Sequence, residues 1–244
     1  MAAGEKLQDY KNEIRPLSAS QIILWAAKKF GPQQIIFASS LGIEDQVLTD
    51  MHMTLNSGIP VMTLDTGRLP QETYTLMDAT REFYGMNFRV YFPGSLDVEA
   101  MESECGPNLF YESVEKRKHC CRVRKIDPLR RALAGLSAWI SGLRREQSEN
   151  RSGIEKIEWD NTFGLYKINP LADWTEKEVW SYVRKHRIPY NALHDRGYPT
   201  IGCAPCTRAV QAGEDFRAGR WWWESSKKEC GIHETYITGD EQSQ

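Results

Sequence analysis

Short apolar runs alternate with helix-length amphipathic stretches over the first ninety residues, and this alternation constrains the fold more than any other feature. Gln34–Ala38 (QIIFA), Val61–Leu64 and Phe88–Phe92 read as short buried strands. A helix is expected over Leu17–Phe30. Its Ile22, Ile23, Ala26, Ala27 and Phe30 share one face, Ser18 or Ser20 can cap it, and Gly31 stops it. Ile43, Val47, Leu48, Met51 and Leu55 form a second helical stripe ended by Gly58, and Pro70–Tyr84 a third closed by Gly85. Strands and helices in strict turn, with short links, predict right-handed parallel crossovers and hence a doubly wound, mostly parallel α/β sheet. Ala138–Ser141 adds a strand, Glu155–Trp159 and Leu165–Ile168 two shorter ones, and Thr175–His186 a late helix. Such sheets bind ligands at the C-terminal ends of their strands. The turns Ser39–Gly42, Asp65–Gly67 and Gly142–Arg145 are therefore placed for ligand contact.

The totals exclude several classes. Of 244 residues, 41% are hydrophobic and 26% charged, a balance that a packed domain needs. No apolar run approaches the length of a membrane span, and the N-terminal stretch lacks the apolar segment of a secretory signal. A net charge of −2 argues against a nucleic-acid partner. These features predict a cytoplasmic protein without membrane contact; association into a homo-oligomer is left open. The organisation expected is one α/β domain over residues 1–220 and a mobile segment over 221–244 that carries Cys230. Its last residues, 238–244, are expected to be disordered.

Cysteine usage narrows the chemistry. In a chain of this kind, clustered cysteines point to metal or catalysis before disulfides. Cys120-Cys121 and Cys203-x-x-Cys206 offer four thiolates from two distant places, a set that suits tetrahedral zinc or an iron–sulfur cluster. Side chains of neighbouring residues diverge, so the adjacent pair favours a cluster with several metal corners. Lys116, Arg117, Lys118, Arg122, Arg124 and Lys125 surround that pair, which is unlike the setting of inert buried thiols. Arg208, Arg217, Arg220, Lys227 and Lys228 form a second basic group, and Arg144-Arg145 a third. Each could be a solvated face, yet guanidinium groups beside a candidate site suit an oxyanion such as phosphate or sulfate. Cys230 lies among Lys227, Lys228 and His233, which favour a thiolate nucleophile. Cys105 has no such neighbours and reads as structural.

Taken together these segments resemble the assimilatory adenylyl-sulfate and phosphoadenylyl-sulfate reductases from about Ile35 to Glu234. The matching segments are Ser39-Ser40-Leu41-Gly42-Ile43-Glu44-Asp45, Leu64-Asp65-Thr66-Gly67-Arg68, and Gly142 to Ser148 with its two arginines. They continue with Lys118-His119-Cys120-Cys121, Gly202-Cys203-Ala204-Pro205-Cys206, Arg217 to Trp223, and Glu229-Cys230-Gly231-Ile232-His233. The resemblance implies a sheet of the adenine nucleotide alpha hydrolase-like (PP-loop) type and thiol-dependent reduction of adenosine 5′-phosphosulfate in sulfate assimilation and cysteine biosynthesis. It implies a [4Fe–4S] cluster on Cys120, Cys121, Cys203 and Cys206, and Cys230 as nucleophile. Ser39, Ser40, Gly42 and Asp65 would line the nucleotide site. Lys125, with Arg144 or Arg145 and with Arg217 and Arg220, would meet the phosphosulfate. Thioredoxin or glutaredoxin would supply the second thiol. The turn SSLGIED is not the SGGxDS type that grips ATP pyrophosphate, which argues against an ATP-dependent RNA thiolase. The 3′-phosphorylated substrate, and a zinc-stapled nucleotide-binding module, are the other readings that the residues allow.

Overall fold

A computed structural model describes residues 3–224. Six strands form one sheet in the order β3-β2-β1-β4-β6-β5. They are β1 (Ile35–Ala38), β2 (Val61–Leu64), β3 (Arg89–Tyr91), β4 (Ala138–Ile140), β5 (Ile157–Asp160) and β6 (Leu165–Ile168). β1 pairs in parallel with β2 and β4, and β4 in parallel with β6. β5 is antiparallel to β6, paired at Ile157↔Ile168. Every residue of β4 and β6 is buried, as expected of parallel strands covered on both faces. The doubly wound, mostly parallel sheet read from the alternation is thus the one observed. β1 has a partner on each side, so the strand order reverses between β1 and β4, where such sheets hold ligands.

The chain divides into two compact units. The first comprises the described residues of Met1–Thr63, Thr75–Arg89 and Leu133–Asn191. Helices α2 (Ala19–Phe30), α3 (Ile43–Thr54), α4 (Gln71–Tyr84) and α8 (Glu176–His186) fall within a few residues of the expected ones. Ser18 and Gln21 close a capping box at the start of α2, and Thr175 and Glu178 do the same for α8. The core joins Ile22 and Ile23 of α2, Phe37 of β1, Val47 and Leu48 of α3, Ile140 of β4 and Val179 of α8. A helix not expected from the polar N-terminus, α1 (Ala3–Ile14), also belongs here, its Leu7, Tyr10 and Ile14 directed into that core.

The second unit comprises Leu64–Tyr74, Val90–Ala132 and the described part of Ala192–Gln244. Its helices are α5 (Ser95–Cys105), α6 (Val114–Cys121) and α7 (Asp127–Leu133), with a π-helical turn over Arg122–Ile126 between the last two. A smaller core gathers Met101, Leu109, Phe110, Val123 and Trp221 around Cys120, Cys203 and Cys206. Of the segment expected to be mobile from residue 221, Trp221–Glu224 are packed: Trp221 and Glu224 are buried, while Trp222 is exposed. Residues 225–244, and with them Cys230, lie outside the described residues. Among the described residues no helix is long and apolar enough to cross a membrane.

Candidate functional site

In the first unit the turns after β1 and β4 stand at the ends of adjacent parallel strands. Leu41 takes a left-handed backbone (φ 60°), which folds the turn back onto α3. The Ser39 hydroxyl accepts from Leu41 N at 3.2 Å, and Ser40 donates to Asp45 Oδ2 from its backbone N at 2.7 Å and its hydroxyl at 2.6 Å. Asp45 is buried in the first turn of α3, and burial pushes its carboxyl up to about 6 against the hydrogen bonds from Ser40 and Gly142. Gly42 begins α3, and a side chain there would meet the Ser40 hydroxyl. At Gly142 a Cβ would stand 2.3 Å from Asp45 Oδ1, so only glycine lets the two turns approach. Arg144 is buried, donating to Glu44 Oε1 at 2.9 Å and to the Trp174 carbonyl at 3.2 Å. The half-buried Arg145 bonds the Ile154 carbonyl at 2.6 Å and pairs with Asp173. The polar groups of this loop thus satisfy one another, which fits its departure from a pyrophosphate-gripping turn.

In the second unit Cys120, Cys121, Cys203 and Cys206 all line one small pocket, part of it open to solvent. Helix α6 begins on Ser113, whose hydroxyl accepts from Lys116 N at 3.1 Å. Its buried face is then Arg117, Cys120 and Cys121, spaced three and four apart. Lys118 and Arg122 point outward, while Arg124 and Lys125 reach the pocket from the π-helical turn. The basic stretch is therefore split, one part solvated and the other facing the thiols. Cys203 and Cys206 sit on a tight turn. Cys206 N donates to the Cys203 carbonyl at 2.9 Å, and Ala204 N donates to the Arg68 carbonyl at 2.8 Å. Arg220 completes the lining over the ring of Trp221, 4.7 Å from its centroid. A Cβ on Gly202 would stand 2.3 Å from the Arg220 guanidinium, so any other residue there obliges the end of that side chain to shift.

Charge is concentrated here. Burial pushes the Cys206 thiol up to about 12 and also raises Cys120. Burial acts on Cys203 in the same sense, but Lys125, the Thr66 hydroxyl, Arg220 and Arg124 outweigh it and bring that thiol below its ordinary value. The Thr66 hydroxyl stands 3.3 Å from Cys203 Sγ. Glu102 accepts from both Arg68 and Arg124 and partly balances them. Sulfur donors in this number fit zinc or an iron–sulfur group. A single tetrahedral zinc requires sulfurs about 3.8 Å apart, from Zn–S bonds of about 2.3 Å. Among the described residues no three Cys, His, Asp or Glu side chains converge as one metal ion requires.

Of the other expected residues, Asp65 accepts from Gly67 N and the Tyr74 hydroxyl, both at 2.8 Å. Arg217 is buried near this pocket in sequence but is not among its lining residues. Cys105 is half-buried at the end of α5. Sequence reasoning did not single out Thr66, Arg68, Glu102, Phe110, Trp221 or Glu224. Thr66 and Arg68 lie inside the LDTGR segment, which carried a signal; Glu102 and Glu224 carried none.

Residues 34–209 match the model of the phosphoadenosine phosphosulfate reductase domain. An adenosine 5′-phosphosulfate reductase of Allochromatium vinosum is 55% identical over 200 residues, 82% of this chain and 78% of that protein. Its counterpart in Burkholderia cepacia is 52% identical over 208 residues, covering 84% of this chain and 82% of the relative. One from Neisseria meningitidis serogroup A is 48% identical over 234 residues, covering 95% and 91%. Among solved structures, a phosphoadenylyl-sulfate reductase of Candida auris in a phosphate complex superposes with a TM-score of 0.73 at 24% identity, over 86% of this chain and 98% of that one. An FMN adenylyltransferase of Candida glabrata shares the fold more distantly, with a TM-score of 0.55 at 15% identity, over 88% and 75%. With a sheet of this topology and most of its length matched, the chain belongs to the phosphoadenosine phosphosulfate reductase family.

Proposed function

We propose that this protein reduces adenosine 5′-phosphosulfate to sulfite with release of AMP, as a cytoplasmic step of sulfate assimilation towards cysteine. One observation carries the reading: four thiols line a cation-rich pocket in a chain 48–55% identical to proteins named adenosine 5′-phosphosulfate reductases. Cys120, Cys121, Cys203 and Cys206 are the residues that would hold a [4Fe–4S] cluster. Four sulfur donors suit zinc or an iron–sulfur group, and the adjacency of Cys120 and Cys121 favours the polynuclear one. When bound, that group supplies electrostatic and structural support, and the two electrons come from thiols.

The Cys230 thiolate attacks the sulfur of the phosphosulfate; the S–O bond breaks, and AMP leaves with the electron pair. Lys125 and Arg220 offset the negative charge that develops on the leaving phosphate. An S-sulfonate remains on Cys230. The thiolate of a thioredoxin- or glutaredoxin-like donor then attacks Cys230 Sγ, forming a mixed disulfide and expelling sulfite. The donor's second thiol resolves that disulfide and restores Cys230. Side-by-side assays of anaerobically purified protein with adenosine 5′-phosphosulfate and its 3′-phosphorylated relative test the reading. Sulfite release that needs Cys230 and prefers the first substrate supports it; equal or better turnover of the second would move the assignment to the phosphorylated substrate.

A further inference from the structure

We infer that the buried Arg117–Glu224 pair positions the nucleophile segment, fixing its base to the helix that carries Cys120 and Cys121. The inference rests on Cys230 being the nucleophile. Arg117 Nε meets Glu224 Oε1 and its terminal nitrogen meets Oε2, both at 2.9 Å, and each side chain is only 2% exposed. Two parallel charge-assisted bonds define orientation as well as distance. The same guanidinium lies over the ring of Trp221, 4.6 Å from its centroid, and Arg220 lies 4.7 Å from that centroid. Trp221 adopts a left-handed backbone (φ 41°), a conformation that a bulky residue keeps only when its surroundings hold it. Its backbone N–H donates to the Cys206 carbonyl at 3.2 Å, and Glu224 N donates to the Trp221 carbonyl at 2.9 Å.

Glu224 therefore joins three things: the cysteine-bearing face of α6, the Cys203–Cys206 turn, and the chain that leads to Cys230. Cys230 lies six positions after Glu224, with five residues between them. Six fully extended steps span at most about 22 Å. Fixing the chain at Glu224 limits how far Cys230 can lie from it, which raises the effective concentration of its thiolate at the substrate. Arg117 lines the thiol pocket and Glu224 does not, so the role assigned to Glu224 is positional.

The test compares full-length wild-type, Glu224→Gln and Glu224→Ala proteins, purified anaerobically, with iron and sulfide measured in each. Each is mixed with adenosine 5′-phosphosulfate without a thiol donor, and the S-sulfonate on Cys230 is followed by peptide mass over time. The expected result is a rate constant lower by about tenfold or more in Glu224→Gln, with unchanged final amplitude and substrate concentration dependence. An unchanged rate constant overturns the inference. So does a loss of amplitude at an unchanged rate constant, because that pattern reports a smaller folded fraction and not a displaced nucleophile. If Glu224→Ala does not fold, Glu224→Gln decides alone. Absence of sulfonate on Cys230 in the wild type overturns the proposed function itself, and the positioning role with it.

Discussion

Asp45 links the two strand-end turns of the first unit, and its replacement by asparagine isolates one electrostatic quantity. The carboxyl is buried, with Ser40 N and Oγ on Oδ2, and its value rises from 3.8 to about 6. The rise means that the folded state holds a proton more tightly than the unfolded chain. The associated stability is present in full below pH 3.8 and is lost as the pH climbs through about 6. At about 1.4 kcal/mol per pH unit, ionising Asp45 in place costs about 3 kcal/mol at neutral pH. Asp45→Asn keeps an acceptor oxygen for Ser40 and removes the ionisation. Urea denaturation of both proteins from pH 4 to pH 7.5 gives the comparison. The wild type should lose about 2–3 kcal/mol relative to the variant across that span. Parallel profiles would refute the reasoning, since they would mean that Asp45 titrates like an exposed carboxylate.

Changing any of Cys120, Cys121, Cys203 or Cys206 to Ser should lower bound iron and inorganic sulfide in anaerobically prepared protein; stoichiometric zinc without sulfide in the wild type would contradict the cluster. Cys230→Ser should keep the iron, sulfide and nucleotide binding of the wild type yet release no sulfite, and normal turnover would remove Cys230 from the chemistry. Gly202→Ala places a methyl group against the Arg220 guanidinium, which must shift from its place over Trp221, and should destabilise the protein by about 1 kcal/mol or less in denaturant titrations. An unchanged midpoint would show that Arg220 moves aside freely.

Much of the architecture was legible because parallel strands buried on both faces read as continuous apolar runs, as in QIIFA and VMTL. The strand-end turns followed from topology alone. Helix α1 escaped notice because its stretch is polar overall, although Leu7, Tyr10 and Ile14 stand three and four apart and pack on the core. The pocket was legible in its thiols and less so in its cations. Among Lys116, Arg117 and Lys118, only the phase set by Cys120 and Cys121 says which one turns inward, and that phase is firm only once α6 is known to be a helix. Glu224 gave no signal, because its partner lies 107 residues away and a lone glutamate at the end of a tryptophan run looks like solvated surface. The pairs Arg144–Glu44 and Arg117–Glu224 show the general reason: composition reveals charge, whereas burial reveals which charges are matched.

The reaction assigned to this protein is tested most directly by one anaerobic incubation with adenosine 5′-phosphosulfate, in the absence of any thiol donor. AMP should form in an amount equal to the enzyme, with a sulfonate on the peptide containing Cys230, and sulfite should appear only when a dithiol protein is then added. AMP formed without modification of Cys230, or sulfite released before the donor arrives, would contradict it.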